Sequence, residues 1–213
     1  MSEYPNPKII IKHNHLLDPF FVFYCNNNPD LASSGWNEWT PPSDEEISNK
    51  VKEFRKIWEE YGEIILSALS KELELYFPVS IIDVHIVKGT PRDISNPIII
   101  KSGHVPEFFL LNLVHELTHR LFAYNELGEL CWELQDSLKD EDITTKKHIM
   151  IYAVLAFIFF EVIKRPEILN THIKLLSSGV GGRNNFYYKA WQIVENFGYK
   201  KLIADFREKI KDR

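Results

Sequence analysis

Two short apolar runs open the chain, at residues 9–11 and 20–24. Both are rich in β-branched or aromatic side chains and are bounded by Pro, Asn and Asp, the pattern of short strands. Residues 31–42, LASSGWNEWTPP, read as a loop in which Trp36 and Trp39 pin the segment to the core. From Ser43 the period changes. Ile47, Val51, Phe54, Trp58, Ile65 and Leu69 recur at three- and four-residue spacing, which predicts one amphipathic helix. Ser43 and Glu46 form a capping box at its start, and Gly62 is a point where it can bend. Runs at 80–87 and 97–101 again read as strands. Beyond Pro106 the chain reads as helices separated by polar loops. Proline placement agrees, because ten of the eleven prolines lie at or before Pro106 and only Pro166 follows. A small N-terminal sheet with a long helix, followed by a mostly helical C-terminal half, is an α+β arrangement. A length of 213 residues suits one domain over 1–213.

Composition narrows the function classes. The chain has 25 Lys and Arg against 30 Asp and Glu, a net charge of −5. A mildly acidic surface argues against nucleic acid as a partner, since phosphate contacts need clustered positive charge. Cys25 and Cys131 are too few for a disulfide framework. The start, MSEYPNPKII, has no basic-then-apolar leader. The apolar run at 149–160, closed by Glu161, is shorter than the about 20 residues of a membrane span and reads as a buried helix. The expectation is a cytoplasmic protein with no membrane partner.

Candidate chemistry is concentrated at residues 115–119, His-Glu-Leu-Thr-His, the pattern H-E-x-x-H. With 3.6 residues per helical turn, His115 and His119 project from one face about 5–6 Å apart. Two imidazoles so placed can grip one zinc ion at about 2.0–2.1 Å. Glu116 lies beside them, able to reach a water on that ion without taking a ligand position. Zinc lowers the pKa of such a water towards about 7, and the carboxylate accepts its proton. Leu110, Leu113 or Val114, Leu117 and Leu121 make an apolar stripe, while Asn112, His115, Glu116 and His119 make a separate polar one. Pro106 and Glu107 suit the start of this helix.

Residues 113–121, LVHELTHRL, resemble the zincin metallopeptidases. Arg120 departs from that pattern, which prefers an uncharged residue. The metzincin extension is missing, since Tyr124 and Asn125 follow instead. The resemblance implies a zinc-dependent hydrolase cleaving a peptide or protein substrate, with Glu116 as base and then proton donor. It also implies an edge strand before the motif helix, and residues 97–102 stand in that position, where extended substrate adds by β-augmentation. His104, between that run and the helix, is then a substrate contact or a solvated loop residue.

A catalytic zinc takes three protein ligands. His148 is the first candidate for the third, as the histidine that leads the apolar helix at 148–162, with Tyr152 one turn on to steady an oxygen at the metal. Glu141 matches the spacing of the thermolysin-like glutamate but sits in an acidic run suited to a helix cap. Glu129, Glu133 and Glu161 remain open. Residues 187–202 resemble the helical tail of gluzincin-type peptidases through Tyr187, Tyr188, Ala190, Gly198 and Leu202. Carried over, Tyr187 donates a hydrogen bond to the oxyanion of a tetrahedral intermediate. The glycine-rich segment 177–185 lacks the Lys-Ser/Thr of a phosphate loop and reads as a rim. The rival readings are a zincin-fold binding module without turnover and a zinc-free helical scaffold.

Overall fold

The computed structural model describes residues 5–32, 39–127, 138, 141–178 and 185–211. In chain order the elements are β1 Lys8–His13, α1 Asp18–Asn27, α2 Pro29–Ala32, α3 Asp44–Leu73, β2 Ile81–Val87, β3 Ile94–Ser95, β4 Ile98–Lys101, α4 Pro106–Tyr124, α5 Ile143–Phe157, α6 Pro166–Ser177, α7 Asn185–Phe197 and α8 Tyr199–Lys211. The protein is α+β, with a small N-terminal sheet and a helical C-terminal half. Its residues group into two compact units. One comprises Pro7–Gly62 and Val79–Leu117, the other Met1–Asn6, Glu63–Pro78 and Thr118–Arg213. The chain passes from unit to unit within α3 and again within α4.

The first unit holds the sheet, ordered β1-β2-β4-β3. β1 runs parallel to β2, with Ile9 opposite Ile82, and β2 runs parallel to β4, with Val84 opposite Ile98. β3 is antiparallel to β4 and pairs Ile94 with Ile99. Because β3 pairs with the outer side of β4 at Ile98 and Ile99, that half of the run is not a sheet edge. This corrects, for Ile98 and Ile99, the expectation that the run is free to add an extended substrate strand. A two-residue strand carries too short a pattern to be read from sequence.

The second expected strand, residues 20–24, is instead helical and lies in α1. Asp18 and Pro19 occupy the first turn, where an acid complements the helix dipole and proline sacrifices no hydrogen bond. Of its apolar side chains only Phe21 and Cys25, four residues apart, are buried, whereas Phe20 and Phe23 are 65% and 68% exposed. Phe21 packs with Val87 and Ile99 in a small cluster flanked by Leu17 and Ile94.

α3 begins on the capping box. The Glu46 carboxylate accepts from Ser43 N–H at 2.7 Å and Oγ–H at 2.8 Å, and Glu46 N–H donates to Ser43 Oγ at 3.2 Å. The helix continues through Gly62, where the Trp58 ring lies so close that a Cβ would stand 2.4 Å from it. The glycine there makes room for an indole. Phe54 stacks on Phe109 with ring centroids 4.1 Å apart, which ties α3 to the start of α4 within this unit.

In the second unit α5 packs against α7 and α8. It starts five residues earlier than the helix expected at 148–162. Asp142 caps it, accepting from Thr144 N–H at 2.7 Å. It then runs on as a π-helical turn, Ile158–Val162. The whole stretch Ile143–Val162, 20 residues, is long and apolar enough to cross a membrane, but 67% of its most apolar window is buried inside the protein. That burial is what a core helix of a soluble protein shows. Gly198, at φ 81°, separates α7 from α8 in a left-handed turn that a side chain disfavours.

Candidate metal centre

α4 places the motif as its periodicity predicts. Phe109, Leu110, Leu113, Val114, Leu117 and Leu121 are fully buried, and Asn112, His115 and His119 are half-buried on another face. Arg120, the residue that departs from the family pattern, lies over the Tyr124 ring, 4.4 Å from its centroid, and donates to the Tyr124 hydroxyl. Its charge is used along the helix, one turn on.

His115 and His119 share a face of α4, and His148 on α5 joins them. One ligand atom from each of the three lies within 4.8 Å of the others. The His148 ring stands 5.2 Å from the His119 ring, nearly perpendicular to it at 79°. His148 is buried and occupies the second turn of α5, not the rim position in a first turn that the sequence suggests.

Two observations test whether these residues suit a metal. His148 Nδ1 lies 2.6 Å from the Thr144 carbonyl oxygen, an acceptor only. Nδ1 therefore carries the ring proton, and Nε2 is left with the lone pair a metal needs. Second, burial pushes the His119 imidazole down to about 3, with His148 and Lys147 adding to the effect. Burial also lowers His148, partly offset by its bond to Thr144. Both rings are thus neutral at ordinary pH, the ligating form. The donor set fits a divalent ion of zinc type.

Glu116 is 8% exposed. Burial pushes its carboxyl up to about 8; the Asp93 carboxylate adds to the rise, and Arg92 opposes it. A nearby divalent cation favours the charged form. Asp93 also anchors His104, whose Nε2 lies 2.8 Å from Asp93 Oδ2 and 3.0 Å from Asn112 Nδ2. His104 is thus packed over the face of α4 one turn before Glu116.

The other candidates have different partners. Glu141 Oε2 is 2.6 Å from Lys189 Nζ. Glu161, on the π-helical turn, accepts from the Tyr199 hydroxyl at 2.6 Å and pairs with Lys200 at 2.7 Å. The Tyr152 hydroxyl meets His172 Nε2 at 3.2 Å, a partner the sequence did not signal because His172 lies on a different helix, α6. Tyr187, third residue of α7, presents its ring edge-on to His148 with centroids 4.5 Å apart. Trp36, Cys131, Glu129, Glu133 and most of 177–185 lie outside the described residues. No family model, no curated protein and no solved structure matches the chain.

Proposed function

We propose that this chain is a zinc-dependent hydrolase acting on peptide bonds, a metallopeptidase of zincin type that works in the cytoplasm. The observation that carries the reading is the convergence of three histidine donors, two of them from H-E-x-x-H, with Glu116 next to the first. His115, His119 and His148 would hold the ion. When bound, zinc supplies Lewis acidity and lowers the pKa of water to about 7. Glu116 accepts the proton of the attacking water and returns it to the leaving amine. Its buried position keeps it from competing solvent. Thr144 fixes the His148 ring in the tautomer with its proton on Nδ1. Tyr187, packed on His148, donates a hydrogen bond to the developing oxyanion. Asp93 and Asn112 hold His104 beside the same helix face, where it borders the substrate.

The test combines metal content with turnover. Purified protein binds zinc, and His115→Ala with His119→Ala lowers the bound zinc by one per chain. Glu116→Gln keeps size and hydrogen bonding but removes the base. Zinc at the motif then persists while hydrolysis of a mixed peptide pool falls by about 10²–10⁴-fold. Unchanged hydrolysis in Glu116→Gln overturns the peptidase reading. Unchanged zinc in the double variant overturns the metal site.

A further inference from the structure

A second group of ligating side chains lies in the sheet unit, outside everything described above. His13 is the last residue of β1, His15 follows it in the turn, Asp18 opens α1 and Asp44 opens α3. One ligand atom from each of the four lies within 4.8 Å of the others. We propose that these four residues form a second zinc site that clips the turn after β1 to the start of α3.

The donor set is two imidazoles and two carboxylates, the nitrogen and oxygen ligands zinc takes in four-coordinate sites. In a tetrahedron with bonds of about 2.0–2.1 Å, the donors stand about 3.4 Å apart. His13 Nε2 and Asp18 Oδ2 are 2.6 Å apart, and His15 Nδ1 and Asp44 Oδ2 are 3.7 Å apart. The cage therefore needs only side-chain adjustment to reach zinc geometry. The ion replaces the proton of the His13–Asp18 hydrogen bond, and the neutral His13 ring then carries its proton on Nδ1.

One half of the group is built in advance. The side chains of His13 and Asp18 are only 9% and 7% exposed, and Asp18 Oδ1 accepts from Lys88 N–H at 2.8 Å. The other half faces solvent, since the side chains of His15 and Asp44 are 65% and 61% exposed. The ring centroids of His13 and His15 are 3.8 Å apart. A preformed buried pair and two adjustable outer ligands give both a seat and an entry path. The outer ligands border an open depression that Lys52 and Arg55 also line. Neither cation is aimed at the carboxylates: Arg55 donates twice to Ile11 O, at 2.9 and 2.7 Å, and Lys52 Nζ donates to Asn49 Oδ1 at 3.3 Å.

Charge supports a divalent ion. As metal ligands, two carboxylates and two imidazoles bring a charge of −2. The Lys88 ammonium, 2.9 Å from Asp44 Oδ1, offsets half of it. A divalent ion offsets all of it and releases Lys88 to water. Lys88 is thus a built-in competitor for the site.

The test uses the His115→Ala/His119→Ala chain, so that the motif site does not contribute. After removal of metal, that protein is titrated with zinc chloride by calorimetry. The expected result is one zinc per chain, with affinity weakened more than about tenfold by a further His15→Ala or Asp44→Asn. Both residues are exposed, so neither change endangers folding, which circular dichroism checks. Lys88→Met is expected to tighten binding by removing the competitor. A background protein that binds no zinc overturns the proposal, as does an affinity that His15→Ala and Asp44→Asn leave unchanged. The proposal and the peptidase reading fail separately: if H-E-x-x-H binds nothing, wild type and background take up the same single zinc.

Discussion

His148 has the most to do of the residues outside the motif, because two imidazoles one helical turn apart are only half of a zinc shell. Its Nδ1 bond to Thr144 fixes the tautomer, and its ring meets His119 and Tyr187. Glu141 and Glu161 are tied to lysines. These placements give a clear contrast. His148→Ala is expected to weaken zinc at the motif by more than about tenfold, while Glu141→Gln and Glu161→Gln leave it in place. Equilibrium dialysis against a zinc buffer reads all three, and loss of zinc in Glu141→Gln instead would move the third ligand. Tyr187→Phe keeps the ring packed on His148 and removes only the hydroxyl. Zinc affinity is then expected to hold while the catalytic rate falls by about 10²–10³-fold, the usual cost of one oxyanion donor. A rate unchanged in Tyr187→Phe would return Tyr187 to a packing role.

At the level of elements, the start of α3 carries its own prediction. Ser43 satisfies the first turn and holds the Glu46 carboxyl below its ordinary value through two donors. Ser43→Ala is expected to cost about 1 kcal/mol in urea denaturation, the usual loss of a serine cap. Because the Glu46 pKa is depressed in the folded state, its contribution is full above the ordinary carboxyl value and lost as pH falls through the depressed one. The stability gap between wild type and Glu46→Gln should therefore be present at neutral pH and close in acid. A gap that widens in acid would contradict the capping geometry. This element was legible because its signals are local: a cap, an acid three residues on, and a stripe at helical spacing. The motif helix was legible for the same reason, and its leucines are buried as the pattern predicts. Residues 20–24 misled because five aromatic or β-branched side chains outweighed the start signal of Asp18 and Pro19. Only burial shows that Phe21 and Cys25, one turn apart, decide the matter. β3 was beyond reach, since two residues carry no period. His148 was legible as a polar residue heading a greasy run, but Thr144 and the earlier cap at Asp142 displaced it by a turn. The pairing of Tyr152 with His172, and the meeting of His13 and His15 with Asp18 and Asp44, depend on contacts between elements that no spacing encodes.

For the whole molecule, the proposed metal centre predicts a link between metal and stability. The candidate ligands His115 and His119 are half-buried and His148 is buried, an arrangement that the unfolded chain does not hold around an ion. Whatever binds the folded protein and not the unfolded one stabilises it by mass action. At free zinc 100-fold above the dissociation constant, the gain is about 2.7 kcal/mol. For a chain of 150–250 residues this moves the melting temperature by about 2–4 °C per kcal/mol, or about 5–11 °C in all. To isolate the motif centre, the measurement is made in His15→Ala, which disables the second cluster and leaves His115, His119 and His148 intact. Zinc should raise the midpoint of that protein by this amount, and a chelator should return it. With His148→Ala added, most of the shift should vanish, because the ion then has only the two ligands of α4. Glu116→Gln should keep it, since in the proposed mechanism that carboxylate acts on the water and is not a metal ligand. A midpoint that zinc and chelator leave unmoved in the His15→Ala protein would remove the link between the three histidines and folding. The peptidase reading would go with it, because a shell too weak to stabilise the fold at 100-fold excess is too weak to organise chemistry.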